Sequence, residues 1–303
     1  MDLSVIILNY NSADYLKKCL ESITKSDIDN YKYEVIIVDN NSTDDSIKLS
    51  KSIHSPNFKY LELKTNQGFA HGNNQGLKEI NPKIRLVLFL NPDTIVQKDT
   101  FKKMIEFFNQ NKNIDAATCQ INLALTGKMQ PECHRGFPTP WNSLCYFTGL
   151  SKLFPHSKIF SGYFMGNLDK TVPHKIDACV GAFLMVKKEV GDKIKWWNEK
   201  YFFYGEDLDF CYQLKQNNFN LYFNPNCKIT HFQGVSSGLI NKSKHLSKAS
   251  RQTKIKVAKA STQAMRIFYQ ENLFSHYSIF TKFLVMSGIQ LLELKRVFKA
   301  KYL

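Results

Sequence analysis

Three short runs dominated by apolar residues, LSVIIL at 3 to 8, YEVIIVD at 33 to 39 and RLVLFL at 85 to 90, each give way abruptly to polar residues. Runs of that length bounded by turn formers read as buried strands. Between the first two, Ser12 can cap a segment that places Leu16, Leu20 and Ile23 at helical spacing. Further helices are expected after Ser42, after Gly68 and from about Lys98, with a strand near Phe58 to Leu63. This alternation predicts an α/β fold: a mostly parallel open sheet flanked by helices. In such sheets the loops that leave the carboxyl ends of strands share one crevice, so the polar clusters after residues 8, 38 and 90 should converge.

From 112 to 175 the rhythm breaks into loop signals, including His134, Arg135, Gly136, Phe137 and Pro138, before apolar CVGAFLMV at 179 to 186 resumes the core. We therefore expect one main folded unit over 1 to 240, with a first half to about 111 and a second half from 112. A stretch rich in Ser, Lys and Asn at 236 to 254 would connect it to a basic helical extension at 241 to 303. With 43% hydrophobic residues, the 303-residue chain can bury a substantial core.

Charge is unevenly placed. Residues 241 to 303 carry thirteen Lys or Arg against Glu271 and Glu293, a net +11 of the chain's +15. The main body is nearly balanced, which argues against nucleic acid as the partner. Seven cysteines without a C-x-x-C pair favour reduced thiols over a disulfide framework or a zinc ribbon. The chain opens directly into its first strand with Asp2 where a signal peptide needs positive charge, so a cytoplasmic location is expected.

Five polar clusters carry candidate chemistry. VDNNSTDD at 38 to 45 ends a strand with Asp39 and offers Ser42 or Thr43 to open a helix; alone it reads equally as a turn and cap. NQGFAHGNNQG at 66 to 76 permits close backbone approach but lacks the spacing of a dinucleotide or kinase phosphate loop. LNPD at 90 to 93 sets Asp93 at the crevice mouth, where a carboxylate can ligate a hard cation. YFFYGEDLDF at 201 to 210 groups Glu206, Asp207 and Asp209 among aromatics, where neighbouring carboxylates raise one another's pKa. In ITHFQGVSSG at 229 to 238, His231 ends a strand-like run ahead of small residues that could face phosphate.

These clusters, in this order over about residues 3 to 240, resemble glycosyltransferase family 2, inverting enzymes of the GT-A fold, and within it the bacterial rhamnosyltransferase-like branch. The resemblance implies that Leu8 and Tyr10 border a nucleotide base, that Asp39 accepts from a pyrimidine imide, and that Gly68 and Asn74 lie along the donor. It aligns LNPD with a D-x-D region, in which Asn91 and Asp93 face the donor diphosphate and Asp93 holds Mg²⁺ or Mn²⁺, with His231 as second ligand. Asn91 departs from the acidic form, leaving one fewer negative charge. Asp207 falls at the general base, Glu206 and Asp209 at positions that hold the acceptor or orient Asp207, and His134 and Arg135 at donor or acceptor contacts, in a catalytic domain whose donor half runs to about 111 and whose acceptor half runs from 112 to 240. The implied partners are a dTDP- or UDP-linked sugar and a glycan or lipid-linked glycan acceptor.

In the tail, Ile255, Ala258, Thr262, Met265 and Phe268 keep helical spacing, and Lys282 and Glu293 bound a ten-residue uncharged stretch, too short to span a bilayer. With Lys295, Arg296, Lys299 and Lys301 at its rim, this end suits the inner face of the plasma membrane, or a partner chain in a homo-oligomer. Two other classes compete: a sugar nucleotidyltransferase, which would want a Gly-rich basic loop where LNYNSADY stands, and a non-enzymatic basic surface binder.

Overall fold

A computed structural model describes residues 1–28, 30–232 and 251–302. Its first half follows the predicted alternation: β1 (Leu3–Asn9), α1 (Ala13–Thr24), β2 (Tyr33–Asp39), α2 (Ser46–Ser50), β3 (Phe58–Glu62), α3 (Phe69–Lys78), β4 (Leu86–Leu90), β5 (Thr94–Val96) and α4 (Thr100–Gln110). Beyond it come β6 (Ala116–Leu123), α5 (Pro140–Thr148), α6 (Leu150–Leu153), β7 (His174–Lys175), β8 (Phe183–Lys187), α7 (Lys188–Ile194), α8 (Glu206–Gln216) and β9 (Leu221–His231). Two helices follow, α9 (Arg251–Phe268) and α10 (Ile279–Tyr302).

The strands form one sheet in the order β3-β2-β1-β4-β8-β6-β9-β5, with β7 against β9. β3, β2, β1 and β4 are mutually parallel. β8 then inserts antiparallel to both β4 and β6, so β6 and its parallel partner β9 again point the same way as β1. Among the described residues, six of the nine strands thus share a direction, and their carboxyl ends form one mouth.

The apolar runs form the buried middle of the sheet: Val5, Ile6, Ile7, Ile36, Ile37, Val87 and Leu88 are fully enclosed. Each such side chain contributes about 1.5–3 kcal/mol of burial free energy. α1 covers one face with Leu16, Cys19, Leu20 and Ile23, the spacing read from the sequence. All seven cysteines are buried and unpaired.

The structure corrects the sequence reading at several points. A central strand, β6, lies inside the stretch read as loop signals; Gln120 and Asn122 interrupt its apolar pattern as it nears the mouth. α2 starts at Ser46, not just after Ser42, because the amides of Ser42 and Thr43 are already bonded to Asp39 and Asn11. Residues 251 to 254, read as connector, already belong to α9. The boundary near 240 and the small-residue loop after Phe232 lie outside the described residues.

α9 and α10 pack against each other, with Arg266 paired to Glu293 at 2.6 Å and Arg296 donating to Ser261 Oγ at 2.8 Å. Among the described residues no helix is long and apolar enough to cross a membrane.

Candidate active site

At the mouth, strand register brings Asn9 opposite Asp39, and the Asn9 amide donates to Asp39 Oδ1 at 2.8 Å. The loops that leave these two strands are cross-tied. Thr43 N donates to Asn11 Oδ1 at 2.8 Å, Ala13 N to Asp44 Oδ2 at 3.0 Å, and Ser42 N to Asp39 Oδ2 at 3.0 Å. Asp44 therefore caps α1 from another loop, using an amide that a helix start leaves free. Leu8 is half-buried and Tyr10 exposed beside this clip, an apolar and an aromatic wall next to a buried carboxylate.

Asn40 donates to Asn66 Oδ1 at 3.0 Å and to Gly68 O at 3.2 Å. Gly68 has φ +99°, and a Cβ there would lie 2.3 Å from Phe202 O. Only glycine satisfies both the positive φ and this close backbone approach. The next amide, Phe69 N, donates to Phe202 O at 2.9 Å, so Gly68 seats the 66–69 loop on the chain that leads into α8. Asn74 uses its amide on Trp197 O and Glu199 Oε1, at 2.9 and 2.8 Å, which commits it to holding the 197–199 turn.

The LNPD turn leads from β4 into β5. Asp93 is buried, and its Oδ1 lies 3.1 Å from His231 Nε2 at the end of β9. The ladder between β5 and β9 sets this pair, since Thr94 stands opposite His231. On its other edge, His231 Nδ1 lies 2.8 Å from Gln130 Oε1. With Nδ1–H donating to that carbonyl, a neutral ring turns its Nε2 lone pair toward the carboxylate, and two acceptors so close call for a proton or a cation between them. One imidazole nitrogen and one carboxylate, steadied from behind by an amide, suit a divalent ion that draws its other ligands from phosphate and water. Among the described residues no group of three or more His, Cys, Asp or Glu could hold such an ion unaided. Asn91 anchors the turn through its backbone: its N–H donates to Ala182 O at 3.1 Å and its carbonyl accepts from Thr94 Oγ1 at 2.7 Å.

The same 181–182 segment borders α8. A Cβ built on Gly181 would lie 3.8 Å from Asp207 Cβ, so Asp207 and the Asp93 turn flank one stretch of backbone. Arg135 Nη2 donates to Asp207 Oδ2 at 2.9 Å, in an ion pair that is largely enclosed. Burial works against the guanidinium charge, but the Asp207 carboxylate outweighs it and holds Arg135 firmly protonated. Glu206, one residue earlier, is buried. Desolvation and then the Asp207 charge push its carboxyl up to about 8, so it carries a proton at neutral pH.

Asp209 and His134 go elsewhere. Asp209 accepts from Asn272 Nδ2 at 2.7 Å and from Tyr201 OH at 3.3 Å, fastening α8 to the segment between α9 and α10. Burial first of all raises its pKa. His134 is fully buried, 2.6 Å from His174 Nε2, and desolvation lowers its pKa to about 4. Arg135 therefore reaches the crevice, whereas its neighbour supports the layer beneath.

Sequence reasoning did not single out Asn9, Asn40 or Gln130. For Asn9 and Asn40 the signal was there to be used, because each is a polar residue at or next to the end of a buried strand; Gln130 stands in a loop seven residues beyond β6, where no local pattern marks it. Of the seven buried side-chain atoms without a hydrogen-bond partner among the described residues, five are Asn9 Oδ1, Asn40 Oδ1, Gln130 Nε2, Arg135 Nε and Glu206 Oε2; the other two are Tyr60 OH and Trp197 Nε1. Polar groups left unbonded in a core are costly, so their concentration around one mouth marks it as a site built to receive polar matter.

A mixed sheet with these carboxylate, amide and imidazole groups at its mouth defines the GT-A class of glycosyltransferase fold. In agreement, the fold matches GalNAc-T7, solved with UDP, GalNAc and Mn²⁺, at a TM-score of 0.59 and 16% identity over 89% of this chain and 50% of that one. It also matches the 1-349 portion of S. aureus TarS at 0.52 and 17% identity, over 100% of this chain and 81% of that one. The chain belongs to glycosyl transferase family 2, whose pattern residues 4–194 match. Among curated relatives, it is 29% identical to the low-salt glycan biosynthesis hexosyltransferase Agl10 of Haloferax volcanii over 73% of this chain, and spans 64% of that protein's length. It is 26% identical to the rhamnosyltransferase WbbL of Escherichia coli K12, over 75% of this chain and 82% of that protein.

Proposed function

We propose that the protein is an inverting glycosyltransferase that moves rhamnose or a similar sugar from a dTDP- or UDP-linked donor to a glycan or lipid-linked glycan in surface polysaccharide synthesis. The observation that carries this reading is the shared wall at 181–182, with the Asp207 carboxylate on one side and the Asp93–His231 pair on the other. The rhamnosyltransferase WbbL and the hexosyltransferase Agl10 among its relatives support the substrate class.

In this scheme Leu8 and Tyr10 flank a pyrimidine base and Asp39 accepts its imide proton. Asp39 Oδ1 and Oδ2 already take one donor each, which fixes the carboxylate while leaving lone pairs for the ligand. Asp93 and His231 would hold Mg²⁺ or Mn²⁺, which would neutralise charge on the leaving diphosphate. Arg135 orients Asp207, whose carboxylate takes the proton of an acceptor hydroxyl as that oxygen bonds the anomeric carbon. The bond to the diphosphate oxygen breaks on the opposite face, and configuration inverts. Neutral Glu206 beside Asp207 adds no second negative charge to repel the diphosphate.

Catalysis belongs to 1 to 240 in this reading, and the basic α9–α10 extension lies against the membrane surface where a lipid-linked acceptor resides. Exchange of Asp207 for Asn tests the assignment: transfer from a matched nucleotide sugar is lost, while the donor still raises the thermal midpoint. Turnover near that of the native chain would remove Asp207 from the role of base.

A further inference from the structure

α10 presents Phe280, Phe283, Leu284, Leu291, Leu294 and Phe298, each more than half exposed. At 3.6 residues per turn these six fall within about 100° of the helix circumference. Ile289 and Arg296 lie on the opposite side and pack inward toward α9. The outward stripe is thus the unpartnered face of a helix whose other face is already used.

A second exposed apolar group stands on the α5–α6 arm: Trp141, Leu144, Phe147 and Leu153, the last 70% exposed. The arm is seated on the same C-terminal segment. Tyr269 OH donates to Pro138 O just before α5 and lies 3.2 Å from Ser143 Oγ within it.

We infer that the outer faces of α10 and of the α5–α6 arm form one docking surface for an anionic lipid bilayer. The inference rests on the membrane-surface reading of the C-terminal extension and adds to it a second element that the sequence assigned only to the acceptor side.

Charge selects the occupant. Residues 140 to 166 contain Lys152 and Lys158 and no Asp or Glu. Beside the α10 stripe stand exposed Lys295, Lys299 and Lys301, and the one acid of residues 274 to 302, Glu293, is consumed by Arg266 at 2.6 Å. Apolar rings flanked by unopposed lysines match the acyl boundary and the anionic headgroups of a bilayer. A second copy of the chain fits less well, because a twofold contact through this face brings two lysine rims together without acids to meet them.

Trp141 supplies a native reporter. Of the three tryptophans, it alone is exposed, since Trp197 is buried and Trp196 half-buried. The full chain should float with vesicles of equimolar phosphatidylcholine and phosphatidylglycerol and not with phosphatidylcholine alone. Brominated phosphatidylglycerol should quench its emission, and Trp141→Phe should abolish the quenching without preventing flotation. The paired changes Phe283→Ser with Leu291→Ser, and Phe147→Ser with Leu153→Ser, should each weaken vesicle binding about tenfold or more. Unchanged thermal midpoints confirm that these variants fold. Three results overturn the proposal: no flotation with the anionic vesicles, an α5–α6 variant that binds like the native chain, or a native dimer that the α10 variant converts to monomers. Donor-induced thermal stabilisation, measured on the same variants, reports on the transferase reading independently of all three.

Discussion

At the sheet mouth, loops are tied by short polar side chains close to the strands they leave: Asn9 to Asp39, Asn11 to Thr43, Asp44 to Ala13. The α9–α10 pair is fixed to the rest of the chain by Phe268 and Leu273 buried in the common core and by contacts of long reach, Asn272 to Asp209 and to Tyr212, and Tyr269 to Pro138. The first arrangement positions many groups around one point and leaves several of their atoms unbonded. The second seats α9 and α10 as a C-terminal arm and leaves the outer face of α10 bare. The difference is that between a site preorganised for a polar ligand and a platform set against a surface. α8 joins the two: Asp207 faces the crevice, and Asp209, two residues on, faces the arm.

The largest effect that could break this comparison comes from Asp207→Asn. It should lower transfer by about 10²–10⁴-fold, as expected for removal of a general base, with donor stabilisation retained. Steady-state kinetics on a matched donor measure it. Gln130→Ala follows. It takes the carbonyl from behind His231 and should weaken Mn²⁺ binding about 10–100-fold, read by titration calorimetry in the presence of nucleoside diphosphate. Gly68→Ala should cost about 3 kcal/mol in urea unfolding, because the new methyl meets Phe202 O in a left-handed conformation.

Asn272→Ala sharpens the other side of the comparison. It leaves Asp209 short of its nearest donor and should cost about 2 kcal/mol, with loss of protease resistance concentrated in α9 and α10. The last test is a pH dependence. An acid whose folded pKa exceeds its unfolded value stabilises the fold below the unfolded value and loses that contribution as pH rises through the folded one. For Glu206 the window runs from 4.5 to about 8, so the native thermal midpoint should fall across it and Glu206→Gln should flatten the fall.

Much of the mouth was legible because a buried parallel strand has little choice of composition. Leu3–Asn9, Tyr33–Asp39 and Leu86–Leu90 announce themselves, and the polar residues that follow them mark the crevice. The far half was harder. The run at 183–187 reads the same whether a strand runs parallel or antiparallel, so nothing local told that β8 enters reversed between β4 and β6. β6 was missed because Gln120 and Asn122 break its apolar pattern near the mouth. Asp207 and Asp209 look alike in EDLDFC, and only contacts with Arg135, 72 residues back, and Asn272, 63 residues on, assign one to the crevice and the other to the arm. His134 and Arg135 divide the same way, since locally extended backbone sends neighbours to opposite sides.

The central claim is that the Asp39 and Asp93–His231 mouth receives a pyrimidine nucleoside diphosphate with a divalent ion. Thermal unfolding with UDP, dTDP, GDP or ADP, each with and without Mn²⁺, tests it in the native chain and in Asp93→Ala. The account predicts stabilisation by UDP or dTDP that requires Mn²⁺ and disappears in the variant. Equal stabilisation by the purine nucleotides, or stabilisation that survives in Asp93→Ala, would contradict it.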